Sequence, residues 1–339
     1  MKTGNKRVAI GIGLLISAFF LYLAFQGLAP DQFISSLQHV NIGLLLVGAG
    51  VYFLAVGVIA LRWQYLLRAV QLIPLYPLTQ IVAIGYMGNN VYPLRAGEAL
   101  RIYLLRRNFQ VPVARATTTV VVERVFDGLV MLSFIIFSLT QIDIQSREVT
   151  TIVTFALPLF VTAMLIFLFL AAQPNLLRRL IQLIVGFLPE KLATILASIS
   201  EDIIAGLEGL RSPVYLIGTV ISSFVTWGVE AVVYWIVMFA FGLELGYPVA
   251  LLVVGTVNLA GLIPASPGQV GVYEFFVSTV MGAMGVPVAL ATTYAVVVHI
   301  VIWLPVTLVG FFFLVRQGMG WSDITHAQEL ENTVAESSS

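Results

Sequence analysis

NNVYPLRAGEALRIYLLRR, residues 89–107, follows one strongly apolar block and precedes another. It sets two asparagines, a proline, a glutamate and four arginines where a hydrophobic chain would be crossing a bilayer. Pro93 lacks a backbone donor and Gly97 tolerates open conformations, so a helix breaks here. If block 77–94 crossed completely, Arg101, Arg106, Arg107 and Arg115 would lie on the side opposite Arg62 and Arg68. Lysines and arginines instead gather on the cytoplasmic side of membrane proteins. A turn at YPLRAG and a return along EALRIYLLRR keeps the basic residues together, so the segment reads as re-entrant.

Working outward, 59% of the 339 residues are hydrophobic and 10% are charged, against about a quarter charged in soluble domains. Apolar blocks at 8–25, 42–61, 77–94, 116–140, 149–172, 213–241, 247–263, 269–286 and 288–315 are to be set against a hydrocarbon layer about 30 Å thick. The chain is expected to be all-α, a polytopic membrane helix bundle. Its zero formal charge creates no global field for nucleic acid. The absence of cysteine excludes disulfides and thiolate chemistry. His39, His299 and His326 have no ligand spacing, so no metal or other cofactor is expected. The basic start and apolar run at the N-terminus read as a retained first span, without a small-x-small cleavage site.

With Lys2, Lys6 and Arg7 inside, the spans place both termini in the cytoplasm and leave Arg147 as the external member of the 17 basic residues. Residues 174–212, with Arg178, Arg179, Lys191 and Arg211 among apolar residues, suit amphipathic helices at the cytoplasmic surface. Residues 1–316 form the membrane domain and 317–339 an acidic, serine-ended tail.

A second polar interruption, NLAGLIPASPGQVGVYEFF at 258–276, aligns with the first without gaps. Pro93 falls on Pro264, Gly97 on Gly268 and Glu98 on Gln269. Pro267 adds a further helix breaker. Each interruption lies between two full spans, within 42–140 and 213–315, and the two sets begin on opposite sides. Two inverted repeats, each with a broken re-entrant segment, are expected. Non-helical backbone at membrane depth is tolerated where protein buries it or water reaches it.

Arg95, Glu98 and Arg101 are three apart and share a helix face, which offers an anion two cations around one carboxylate; the alternative is a set of juxtamembrane anchors. In ERVFD, Arg124 and Asp127 are one turn apart and can pair, with Glu123 beside them. A charge at mid-bilayer costs roughly 3 kcal/mol on insertion scales, so these residues either line a polar interior or lock helices together. Glu230 and Glu274 are lone acids expected to be neutral or paired with an arginine of the other repeat, and either is a candidate proton carrier. His299 reads as a packing histidine. Asn89, Asn90, Asn258, Ser266 and Gln269 are expected to line the broken regions, by hydrogen bonds to the chain or to a ligand.

NNVYPLRAGEALRIYLL, then ERVFDG, then IPASPGQVGVYEFF resembles the lysylphosphatidylglycerol synthase transmembrane-region family, the flippase-like membrane proteins, over about residues 8–316. In that family the second motif often continues with another glycine where Gln269 stands here. The resemblance implies the membrane half of enzymes that aminoacylate phosphatidylglycerol, the half implicated in flipping the product lipid. It also implies hopanoid, polyprenyl-phosphate and glycolipid pathways among relatives. About twenty residues follow Arg316, so the expectation is a membrane domain standing alone, without transferase chemistry.

The leading reading is therefore a translocator, and not an enzyme, that moves an anionic or polar-headed lipid between leaflets of a cell membrane, in a bacterium the inner one. Arg95, Arg101 and Arg124 attract the headgroup; Glu98, Glu123 and Asp127 hold them. No nucleotide-binding motif points to ATP. The alternatives are a membrane-embedded transferase using a lipid-linked donor, and a non-transporting partner of a lipid-synthesis enzyme. A homodimer is compatible with each.

Overall fold

The structure is a computed structural model that describes residues 3–26, 28, 30–68, 70–93, 96–142, parts of 162–186, residue 193 and 212–319. Arg95, the loop with Arg147, most of the span expected at 149–172, most of 187–211 and the tail from 320 lie outside the described residues. Eleven α-helices are found among the described residues. In chain order they are α1 (Thr3–Phe25), α2 (Pro30–Leu37), α3 (Ile42–Leu67), α4 (Leu75–Val91), α5 (Ala96–Phe109) and α6 (Val113–Gln141). Then come α7 (Pro174–Val185), α8 (Pro213–Ala240), α9 (Tyr247–Ala260), α10 (Val272–Ala283) and α11 (Val288–Arg316).

The chain is a multi-pass membrane protein. Helices α3, α8 and α11 run for 26, 28 and 29 residues and are apolar enough to cross a bilayer. A fourth span is reached if Ile10–Phe25 and Pro30–Leu37, bent by 79° to each other, count as one. Leu46, Ile217 and Leu308 stay 70%, 56% and 61% exposed on these helices, which fits a hydrocarbon surround rather than water. Helix α6 matches α11 in length at 29 residues but carries Glu123, Arg124 and Asp127 in its middle. Local sequence sets the ends. The Asn41 side chain accepts from Leu44 N to cap α3, and prolines stand within one residue of the starts of α6, α8, α9 and α11, where a missing N–H costs nothing.

Helices α4, α5, α9 and α10 have 17, 14, 14 and 12 residues. At 1.5 Å per residue they reach about 26, 21, 21 and 18 Å, short of a hydrocarbon core of about 30 Å. The chain reverses between α4 and α5, with Gly97 against Gly85 and Asn89, and Arg101 against Gly85. A Cβ on Gly97 would stand 1.8 Å from the Gly85 carbonyl oxygen. The first half of the interruption is thus a tight helical hairpin whose arms meet through glycine. Helix α9 packs on α10 in the second interruption.

The two groups of helices interlock reciprocally. Helix α3 packs along α8, α4 along α11, and α9 along α6. Gly310 of α11 faces the Ala83 carbonyl of α4, and Gly255 of α9 faces the Met131 carbonyl of α6. Small residues at such crossings let backbones approach where lipid supplies no hydrophobic drive to association. Tyr52, Trp63, Tyr234 and Tyr294 fill the centre, each at most 2% exposed. Helix α7, with its apolar and polar residues on opposite faces, is the described part of the amphipathic segment.

Candidate functional site

Three helices bring their charges to one place. Helix α6 presents Glu123, Arg124 and Asp127 over little more than one turn, α5 adds Glu98 and Arg101, and α3 adds Arg62. Glu123 is fully buried. It accepts from Arg101 Nη1 and Nη2 at 3.0 and 2.8 Å, and from Arg124 Nη2 at 2.7 Å. Arg62 Nη2 lies 3.0 Å from the same carboxylate. Asp127 accepts from Arg62 Nη1 and from the Trp227 indole N–H at 2.7 Å, and its other oxygen is 3.3 Å from Arg124 Nη1. The Arg101 guanidinium also lies 4.0 Å above the Trp63 ring. Bidentate and stacked contacts of this kind need the planar arginine fork and not a lysine.

The balance of these groups decides what faces outward. Arg62 and Arg101 are 1% and 3% exposed, whereas Arg124 is 35% exposed. Its Nε is 3.7 Å from Glu98 Oε1, longer than the 2.7–2.9 Å or so of a tight charge-assisted bond. Arg124 is therefore the accessible cation of the network, anchored from behind by two buried carboxylates.

In front of it lies a cavity of about 490 Å³. One end is the first tip, with Asn89, Asn90, Tyr92 and Pro93; the other is the second, with Pro264, Ser266, Pro267, Gly268 and Gln269. Glu98, Arg101, Arg124, Glu230 and His299 supply its charged and titratable lining, and Tyr52, Tyr86, Trp227, Tyr234, Tyr273 and Trp303 its aromatic walls. Helix α1 closes one side through Ile10, Gly13 and Leu14.

The tips are held by their own polar groups. Asn89 Oδ1 accepts from Gly97 N at 2.9 Å, across the first break. Asn90 Nδ2 donates to Thr307 Oγ1 at 2.8 Å, joining α4 to α11. The backbone N–H of Ser266 donates to Ser17 Oγ at 2.8 Å, fixing the second tip to α1. Gly268 and Gln269 both adopt left-handed backbone, with φ of +67° and +59°. Glycine does this freely. Glutamine does so at a cost, since its Cβ crowds the backbone there.

The expected site residues thus divide. Asn89, Asn90, Glu98, Arg101, Arg124, Ser266 and Gln269 come together around one cavity, with Asn258 beside them. Glu123 and Asp127 stand behind the arginines and do not line it. The expected Arg124–Asp127 pair is present. Glu274 does not line the cavity and has no arginine partner among the described residues. Its Oε2 accepts from Gly271 N at 2.6 Å, capping α10, and its Oε1 is 2.6 Å from His299 Nδ1. The cap is local, because the third residue of a helix reaches back to its own N-terminus, whereas the histidine is brought by the packing of α11 on α10. Glu230 is 5% exposed and has no ion pair among the described residues; the Asn258 amide, near it on the cavity wall, donates to Val254 O at 2.9 Å. Arg62 was readable only as a cytoplasmic-side marker, since the apolar block stops at 61. The helix runs on to Leu67, and an arginine beside a tryptophan one residue past the block was the available signal. No group of three potential metal-ligating side chains occurs among the described residues.

Comparison with known proteins adds to this geometry. The family model described as lysylphosphatidylglycerol synthase TM region matches residues 10–310. The chain belongs to this family. Among its relatives is a protein named glycosyltransferase AglD of Haloferax volcanii, 27% identical over 90% of this chain and 54% of its own length. A UPF0104 membrane protein of Pyrococcus horikoshii is 22% identical over 91% of this chain and 97% of its own. Another, of Methanothermobacter thermautotrophicus, is 23% identical over 88% and 90%. The chain spans about half the length of the AglD relative and nearly all of the two UPF0104 family members.

Proposed function

We propose that this family member translocates a lipid with an anionic headgroup between leaflets, and that the cavity between the two tips holds the headgroup in transit. The observation that carries this reading is the accessible guanidinium of Arg124 in a cavity bounded by both broken tips. A phosphate placed there gains a planar multi-donor partner in surroundings where an unpaired charge is costly. The reciprocal packing of α3 with α8, α4 with α11 and α9 with α6 supports an inverted repeat of 42–140 and 213–315. The short hairpin arms support re-entry. The charge distribution favours a cytoplasmic membrane with both termini inside; the relatives named above are archaeal, so they lend nothing to a bacterial inner membrane in particular.

The test is transport by the purified protein in phosphatidylcholine vesicles carrying fluorescent phosphatidylglycerol, with dithionite quenching as the readout. The wild type moves the probe between leaflets. Arg124→Gln slows it at least tenfold, measured at a temperature where size exclusion shows the variant still folded. Equal rates for the two proteins would remove the headgroup role.

A transferase using a lipid-linked donor is the second reading, favoured by the name of the AglD relative, about half of which the chain matches. Covalent turnover of a labelled glycosyl lipid by the purified chain would establish it. Stable co-purification with a lipid-synthesis enzyme, without transport by the isolated chain, would instead make the protein that enzyme's partner.

A further inference from the structure

His299 of α11 forms part of the cavity wall and its side chain is 12% exposed. Its ring is held twice. Nδ1 lies 2.6 Å from Glu274 Oε1, and the ring stacks on Tyr273 with centroids 4.0 Å apart and planes 18° apart. Glu274 is itself fixed, because its other oxygen takes the Gly271 N–H at 2.6 Å. Tyr273 is fixed through its hydroxyl, which donates to Tyr234 Oη at 2.6 Å. An ionised carboxylate only accepts hydrogen bonds, so the hydrogen sits on Nδ1 and Nε2 is the proton acceptor of the neutral ring. A carboxylate that orients an imidazole in this way sets its tautomer.

The electrostatic consequence concerns the whole cavity. With neutral imidazole the pair presents one negative charge; with imidazolium it presents none. The other titratable groups around the cavity are Tyr273 on α10, Tyr234 and Glu230 on α8, Tyr52 on α3, Tyr86 on α4 and Tyr92 just beyond α4. Glu98 and Arg101 of α5 and Arg124 of α6 complete the set, and α2, which also packs on α11, offers Asp31, which is exposed. Among the described residues, no arginine or lysine pairs with Glu274 to cancel its charge. An anionic headgroup at Arg124 shares the cavity with this pair and is repelled by it until the proton binds. Headgroup and proton therefore favour each other's binding, and by linkage the effect is mutual.

We infer that the Glu274–His299 pair is a proton-binding site that couples movement of an anionic headgroup to proton uptake. The inference rests on the translocator reading above and adds its energy source. The proton enters at Nε2, travels with the anion and is released as the anion leaves, with no bond to the lipid made or broken.

One preparation tests both levels. The protein is placed in phosphatidylcholine vesicles with fluorescent phosphatidylglycerol in the membrane and pyranine in the lumen, and an acid-outside gradient is imposed. We expect the gradient to speed inward probe movement about tenfold, with lumenal acidification that follows the probe. His299→Gln should move the probe slowly, at a rate indifferent to the gradient, and without acidification. Glu274→Gln, which keeps a side chain able to reach the α10 N-terminus, should shift the pH at which the gradient acts. If His299→Gln does not fold, the wild-type pyranine signal alone decides. Probe movement without acidification, unaffected by the gradient, overturns the proton site and leaves the translocator intact. No probe movement under any gradient overturns both.

Discussion

Arg101 grips Glu123 with both terminal guanidinium nitrogens, at 3.0 and 2.8 Å, across 22 residues of sequence and in full burial. The pair joins the return arm of the first hairpin to α6, so it is a structural member of the site as much as an electrostatic one. Replacing Glu123 with glutamine leaves three arginines facing Asp127 and Glu98. Breaking a buried pair from one side costs about 3–5 kcal/mol, so Glu123→Gln is expected to lower the unfolding midpoint in detergent sharply. A midpoint within a degree or two of wild type would mean that the network relaxes around its loss.

Gly97 is expected to tolerate no side chain. Its Cβ would fall 1.8 Å from the Gly85 carbonyl oxygen and 2.7 Å from Asn89 N, and both are backbone that cannot step aside. Gly97→Ala should abolish the folded monomer peak in fluorescence-detected size exclusion. Gly128→Ala, where a Cβ meets nothing within 4 Å, should elute as wild type.

Gln269 holds a left-handed φ of +59°, which costs an L-residue roughly 1–2 kcal/mol. Gln269→Gly should stabilise the protein by about 1 kcal/mol if strain outweighs the contacts of the amide. Transport by the same variant separates the roles: a stabler but slower protein would show that the strained glutamine serves the cavity.

Asn90 and Thr307 join the two proposed repeats through a 2.8 Å hydrogen bond. A double-mutant cycle of Asn90→Ala and Thr307→Val measures the link directly. Interhelical bonds in membranes average about 0.6 kcal/mol with a maximum near 1.7, and a coupling in that range is expected. Zero coupling would reassign the contact to packing alone.

The helix plan was legible because its causes are local. Apolar blocks at 42–61, 213–241 and 288–315 correspond to α3, α8 and α11, the spans that pass on length and hydropathy. Block 116–140 corresponds to α6. Pro93, Pro264 and Gly268 sit where helices break, since a missing donor and a missing Cβ act wherever they occur; Gly97 instead lies in the first turn of α5, where it allows the close approach to Gly85. The Arg124–Asp127 pair follows from helical spacing alone.

What the sequence by itself determined was thus the class of protein, the positions of its breaks and the set of polar residues available to a site. Only the tertiary structure decided their partners. Arg62 reaches Asp127 across 65 residues and Trp227 reaches it across 100, because α3, α6 and α8 converge. Glu274 meets His299 rather than an arginine because α10 lies along α11. Helical period fixes which residues share a face, but which faces meet is a property of helix packing, and a buried charge takes the partner that packing brings to it.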